Sequence, residues 1–105
     1  MKTKFTERFG VELPIVQGGL AHLAFSELCI AVSEAGGLGQ LTAATMPSPE
    51  FLREEIRRVR AATDKPFAVN FSLGRTSLDE FIKVTIEEGV ECISVTGGNP
   101  QPLFE

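Results

Sequence analysis

The chain has 105 residues, 43% hydrophobic and 23% charged, the make-up of one small globular domain. Ten Lys and Arg against fourteen Asp and Glu leave a net charge of −4, which argues against nucleic acid or an anionic membrane as a partner. No apolar run approaches the roughly 20 residues needed to span a bilayer, and Met1 to Lys4 lead into polar residues rather than an apolar signal core, so a cytoplasmic protein is expected.

Residues 13–17 form a short apolar run, read as a first strand, that ends in Gln17-Gly18-Gly19. A glycine pair lets backbone approach a ring or an anion closely and leaves N–H groups available to donate, although a tight turn with no ligand is spelled the same way. Over 24–35, Phe25, Leu28, Cys29, Val32 and Ala35 recur at helical spacing, and Gly36-Gly37 ends that helix. Residues 38–42 are too short for a helix, and Pro47-Ser48-Pro49 supplies a break and an N-cap. From 49 to 62, Phe51, Leu52, Ile56, Val59 and Ala62 make an amphipathic stripe. Beside it, Arg53, Arg57, Arg58 and Arg60 interleave with Glu50, Glu54 and Glu55 as a solvated, ion-paired face. Residues 67–71 read as a strand, and 77–88 as a helix with Ser77 and Glu80 as its capping box and Gly89 as its stop. A fourth strand over 92–96 runs into Gly97-Gly98-Asn99-Pro100, and 100–105 open a further helix. Cys29 and Cys92 lie in apolar periodic segments without pairing or metal-ligand spacing, so both are expected as buried, reduced thiols, with no metal site.

Strand and helix therefore alternate as βαβαβαβ with nearly continuous apolar strands, the pattern of a parallel sheet covered on both faces. On the residues alone two α/β architectures remain open: a flavodoxin-like open sheet, or the N-terminal half, about four β/α units, of a TIM-type (β/α)8 barrel. Gln17, Thr42, Asn70 and Thr96 all fall at or just after strand C-termini, where parallel α/β folds gather ligand groups. A barrel normally takes about 250 residues, so residues 1–105 read as a single partial domain. Such a piece leaves two open sheet edges and half an apolar interior, to be covered by a C-terminal half or by another copy in a homo-oligomer.

Four segments carry a resemblance: Pro14-Ile15-Val16-Gln17-Gly18-Gly19, Ala35-Gly36-Gly37-Leu38-Gly39, Lys65-Pro66-Phe67-Ala68-Val69-Asn70 and Val95-Thr96-Gly97-Gly98-Asn99-Pro100. With them, essentially the whole chain resembles the N-terminal part of the nitronate monooxygenase (2-nitropropane dioxygenase-like) family, which includes FMN-dependent enoyl-[acyl carrier protein] reductases. The resemblance implies a TIM-type barrel that holds FMN at its C-terminal face and either oxidises a nitronate with O2 or reduces an activated alkene. It places Gln17, Gly18 and Gly19 against the isoalloxazine ring, Asn70 at the flavin's polar edge, and Thr96 and Gly97 on the substrate side. Hydrogen-bond donors there would stabilise the negative charge of the reduced ring. The family's phosphate-binding glycine loops and its catalytic histidine belong to the second half of the barrel, so no catalytic residue is assigned. His22 is read as solvent-facing or capping, and Gly36 and Gly37 as helix termination. Leu20 stands where the family commonly has methionine, and Gln40 interrupts a usually aliphatic strand.

The expected function is accordingly that of an FMN-dependent oxidoreductase piece acting on a small-molecule substrate, of the monooxygenase or of the enoyl reductase type. Two alternatives come from other classes. One is a non-catalytic half-barrel that oligomerises; the other is a flavodoxin-like signalling domain, which would need an acidic cluster or phosphate loop where this chain has amides, threonines and glycines.

Overall fold

Apolar and polar side chains alternate along the strands, and the alternation gives the sheet two chemically different faces. The computed structural model describes residues 1–74, 77–99 and 101–104. It runs α1 (Lys4–Phe9), α2 (Ser26–Glu34), β1 (Gly39–Thr42), α3 (Pro49–Ala62), β2 (Phe67–Ser72), α4 (Asp79–Glu87) and β3 (Ile93–Thr96). The strands pair in parallel in the order β1-β2-β3. Thr42 lies opposite Asn70, and Asn70 opposite Ser94. Leu41, Val69 and Phe71 therefore share one face, where they are fully buried against Cys29, Leu52, Ile56, Val59, Leu78 and Val84. The same register puts Gln40, Thr42, Asn70, Ser72, Ser94 and Thr96 on the other face. The apolar interior expected from the strands is thus corrected: among the described residues the apolar cluster lies on one side of the sheet, and the opposite side is polar.

The expected strand over 13–17 is reduced to a single parallel bridge between Val16 and Leu38. Leu38 N–H donates to Ile15 O at 2.8 Å and Gln17 N–H to Leu38 O at 3.0 Å. The next donor of the ladder backwards, Ile15 N–H, turns instead to Leu13 O at 2.8 Å, and beyond Gln17 a side chain replaces the next peptide, as described below. The other three expected strands form.

Two helices begin later than expected. Leu20 O accepts from both Leu23 and Ala24 N–H, closing a turn, so α2 starts at Ser26 with no cap from its own neighbours. The cap comes from α3: Glu55 Oε1 accepts Ser26 N–H at 3.1 Å and Oε2 accepts Ser26 Oγ–H at 3.0 Å. A carboxylate at the positive end of α2 is electrostatically favourable. Glu55 is consequently buried rather than part of a solvated face. At α4, Leu78 occupies the N-cap, Ser77 Oγ accepts only Asp79 N–H at 3.4 Å, and the expected capping box does not form. The helix α1 was not expected, yet its signals are local: Thr3 and Thr6 cap each other, and Gly10 turns left-handed at φ 69°. The Ser48 N-cap with Pro49 at the first turn of α3 forms as read. A 3-10 turn over Gln101–Phe104 stands where a further helix was expected; Pro100 and Glu105 lie outside the described residues.

Buried polar groups fasten the layers. Ser33 Oγ donates to Pro66 O at 2.9 Å and accepts Gly39 N–H at 3.2 Å, tying α2 to β1 and to the entry of β2. Gly39 permits that approach, because a Cβ there would collide with the Cys29 carbonyl. Across the outer surface, Arg53 reaches Glu88 and Glu87 at 2.9 Å each, and Arg57 reaches Glu88 at 3.0 Å. The arginine row expected on one helix face thus clasps α3 to α4. Arg57 foremost, with Arg53, holds the Glu88 carboxyl below the usual carboxylate range against the opposing effect of desolvation. Both cysteines are free. Cys29 is buried as expected, and desolvation pushes its thiol up to about 12 although a Ser33 hydrogen bond opposes the shift. Cys92 is only half-buried, because β3 is an edge strand; its thiol is also raised by burial.

Replacing Glu55 by Ala removes the cap of α2 and is expected to cost about 1–2 kcal/mol in urea unfolding. Glu88 has a lowered folded pKa, so its stabilisation is present at neutral pH and is lost as pH falls below about 4.5 through the folded value. Urea midpoints across that range should fall less steeply for Glu88→Gln than for the parent chain.

Candidate functional site

The C-terminal ends of the strands lie under the segment from Gln17 to Ala24. The Gln17 carboxamide acts as the missing next peptide of the first strand. Its Oε1 accepts Gln40 N–H at 3.1 Å and its Nε2 donates to Gln40 O at 3.1 Å, with a second Nε2 bond to Gly18 O at 2.8 Å. Gln40 answers by donating its own Nε2–H to Gln17 O at 2.8 Å. The polar residue that interrupts β1 is therefore the partner that docks the glycine loop, and the polar side of the sheet is where it must point.

From Gln40 the polar chain continues across the sheet. Ser94 Oγ donates to Gln40 Oε1 at 2.5 Å, and Asn70 Nδ2 donates to Ser94 Oγ at 2.8 Å. Asn70 is buried directly beneath Gly19, whose Cβ, if it had one, would collide with Asn70 Oδ1. Gly18 is different: a Cβ on it would meet nothing within 4 Å, so its surface is open. Further along, His22 N–H donates to Thr45 Oγ1 at 3.1 Å and Thr42 N–H to Ala24 O at 2.8 Å, which pins the far end of the loop. His22 is exposed in a left-handed conformation at φ 61°, in keeping with a solvent-facing role.

Four of the six expected site residues, Gln17, Gly18, Gly19 and Asn70, are thus brought together. Thr96 and Gly97 share the same end of the sheet but stand on the edge strand, where Thr96 O accepts Leu73 N–H at 2.9 Å and Gly97 turns at φ 82°. The Gln17 side chain is fully engaged in holding the loop. Three residues join the set. Gln40 and Ser94 are its polar struts, detectable in sequence only once alternation is applied to β1 and β3. The third is Thr42, 4% exposed, whose Oγ1 is buried without a hydrogen-bond partner among the described residues. A buried hydroxyl without a partner is costly, and such atoms in native folds mark places where a ligand or water completes the bonding.

A cleft of about 840 Å³ lies elsewhere. It is lined by Phe9, Arg60, Lys65, Phe67, Cys92 and Ile93 at the N-terminal ends of the strands. Parallel α/β folds build their chemistry at the opposite end. Among the described residues no cluster of three His, Cys, Asp or Glu could hold a metal ion.

Comparison with known proteins fits this geometry. A family model described as nitronate monooxygenase matches residues 2–102. FabK from Thermotoga maritima superposes with a TM-score of 0.90 at 40% identity, over 97% of this chain and 32% of that one. A (3aS,4S,5R,7aS)-5-hydroxy-7a-methyl-1-oxo-octahydro-1H-indene-4-carboxyl-CoA dehydrogenase from Mycobacterium tuberculosis is 40% identical over 104 residues, 99% of this chain and 29% of its own length. A nitronate monooxygenase from Pseudomonas aeruginosa is 44% identical over 70 residues, 67% of this chain and 20% of its own length. The chain thus spans under a third of the length of these relatives, and its sheet matches an N-terminal part of a barrel rather than a flavodoxin-like sheet. With the glycine loop, the Gly36-Gly37 turn and Asn70 all in place on that fold, the chain belongs to the nitronate monooxygenase family.

Proposed function

We propose that the chain forms the ring-binding side of an FMN-dependent oxidoreductase site, built on the first β/α units of a TIM-type barrel. The observation that carries this reading is the pairing of an open glycine surface with an orphaned buried hydroxyl: Gly18 has free space above it, and Thr42 Oγ1 lacks a partner among the described residues. A flat heteroaromatic ring with a polar edge fits such a place, since backbone can lie against its face while polar groups meet its rim.

Bound FMN would supply the redox chemistry. The chain's own residues bind and orient it. Gly18 and Gly19 offer backbone to the ring, Asn70 offers a polar atom to its edge, Thr42 lies buried beneath the same end of the sheet, and Gln17 with Gln40 keeps the loop in position. Thr96 and Gly97 line the substrate side. Exposed Leu13, Ile15 and Val16 on one flank and Ile86 and Ile93 on the other are surfaces that further barrel units or a second copy would cover, excluding water. The nitronate-oxidising reading follows from the family model. A second reading, reduction or dehydrogenation of an acyl thioester as in enoyl reductases, is favoured by one observation: the carboxyl-CoA dehydrogenase aligns over 104 residues, the P. aeruginosa nitronate monooxygenase over 70.

Titration of FMN with the chain, followed by quenching of flavin fluorescence, tests the site. A Cβ at Gly18 would meet nothing within 4 Å, so a side chain there starts in open space and the urea stability of Gly18→Leu should stay within about 0.5 kcal/mol of the parent. Its flavin affinity should nevertheless drop at least about tenfold, because the ring face is obstructed. Equal affinities in the two proteins would refute the placement. With flavin bound, a change in the visible spectrum on adding an acyl-CoA but not a nitroalkane would favour the thioester reading, and the reverse the nitronate one.

A further inference from the structure

The polar chain across the sheet has a direction, and the direction decides which end of the Asn70 amide faces the loop. It starts at Gln17 O, a backbone carbonyl that can only accept. Gln40 must therefore present Nε2 to it, at 2.8 Å, which turns Gln40 Oε1 toward Ser94. Ser94 has one hydroxyl hydrogen and commits it to that oxygen at 2.5 Å. Left as an acceptor, Ser94 Oγ takes Asn70 Nδ2–H at 2.8 Å. An inverted Asn70 would set its carbonyl oxygen against the Ser94 lone pairs. Asn70 Oδ1 is consequently held on the loop side, under Gly19, the one residue type with no side chain to displace it. Among the described residues no donor reaches that oxygen.

We infer that Gln40 and Ser94 are positioning residues that fix Asn70 as a hydrogen-bond acceptor, so that the site selects a ligand bringing an N–H or O–H donor to the glycine loop. The inference rests on the flavin reading above and deepens it: the donor is the imide N–H of the flavin ring. It also revises the expectation that Asn70 serves the ring as a donor. Gln40 acts through Ser94, and Ser94 through Asn70; neither touches the ligand.

Two ligands test this: FMN, and an FMN analogue methylated on the imide nitrogen, each titrated into the parent chain and into Gln40→Met, Ser94→Ala and Ser94→Thr, with circular dichroism to verify folding. The parent should prefer FMN by about tenfold, one hydrogen bond's worth. Gln40→Met and Ser94→Ala, which release the Asn70 amide, should bring that ratio close to one, and Ser94→Thr, which keeps the hydroxyl, should restore it. A general loss of packing would weaken both ligands alike and leave the ratio standing. An unchanged ratio in folded Gln40→Met and Ser94→Ala overturns the relay while flavin binding stands, and equal binding of the two ligands by the parent overturns Asn70 as the acceptor. Failure of the parent to bind either ligand overturns the flavin reading and the relay with it.

Discussion

The pairing of the Gln17 carboxamide with the backbone of Gln40 is the contact on which the ligand end of the molecule depends. A side-chain amide carries the same donor and acceptor as a peptide, so it can extend a parallel ladder by one step while the backbone turns away. That substitution lets the main chain leave the sheet at Gly18 and Gly19 and fold over the strand ends without stranding the polar groups of Gln40. The reciprocal bond from Gln40 Nε2 to Gln17 O then starts the ordered series that reaches Asn70. A loop held this way is positioned at both ends by polar bonds, from Gln17 and Gln40 at one end and from His22 and Thr42 at the other.

Beneath this end, the helices are locked to the sheet and to one another by polar groups that each satisfy a specific backbone need. Glu55 reaches across from α3 to cap α2, and Ser33 reaches from α2 to close the gap between β1 and the entry of β2. Glu55 also meets the exposed Arg58 at 3.5 Å, but both Glu55 and Ser33 sit where an unpartnered backbone group would be costly. The Arg53, Arg57 and Glu88 clasp belongs to a different category. It lies at the surface with Arg53 and Glu88 half-buried, and it sets how α3 and α4 lie against each other while adding a modest, partly screened stabilisation.

The site and the fold were legible to different depths. The glycine loop, Asn70 and the strand-end threonines could be picked out because they follow apolar runs at the positions where parallel strands end. Gln40 could be noticed as an interruption but not understood, since its partner Gln17 is 23 residues away along the chain. Ser94 drew no notice at all; a serine inside a strand has meaning only beside the Asn70 of the next strand. The polar face of the sheet was in plain view in the alternation of Gln40, Thr42, Asn70, Ser94 and Thr96 with Leu41, Val69, Phe71 and Val95. Each strand is short enough, however, for period two to pass as a continuous apolar run. The helix α1 is hidden for a similar reason: Thr3 and Gly10 mark its ends, but six residues are too few to show a stripe.

By itself the sequence determined the order of elements from α2 to β3, the Ser48 start of α3, the glycine stop of α2 and the family, because these depend on local capping, backbone freedom and short motifs read along the chain. Tertiary structure alone decided that Glu55 is a buried cap, that the arginines clasp a second helix, that Gln17 serves as a strand extension, and that Asn70 turns its oxygen toward the loop. The physical reason is the same in each case. A side chain's local spelling says which hydrogen bonds it can make, and only the neighbours that folding brings beside it determine which ones it does make.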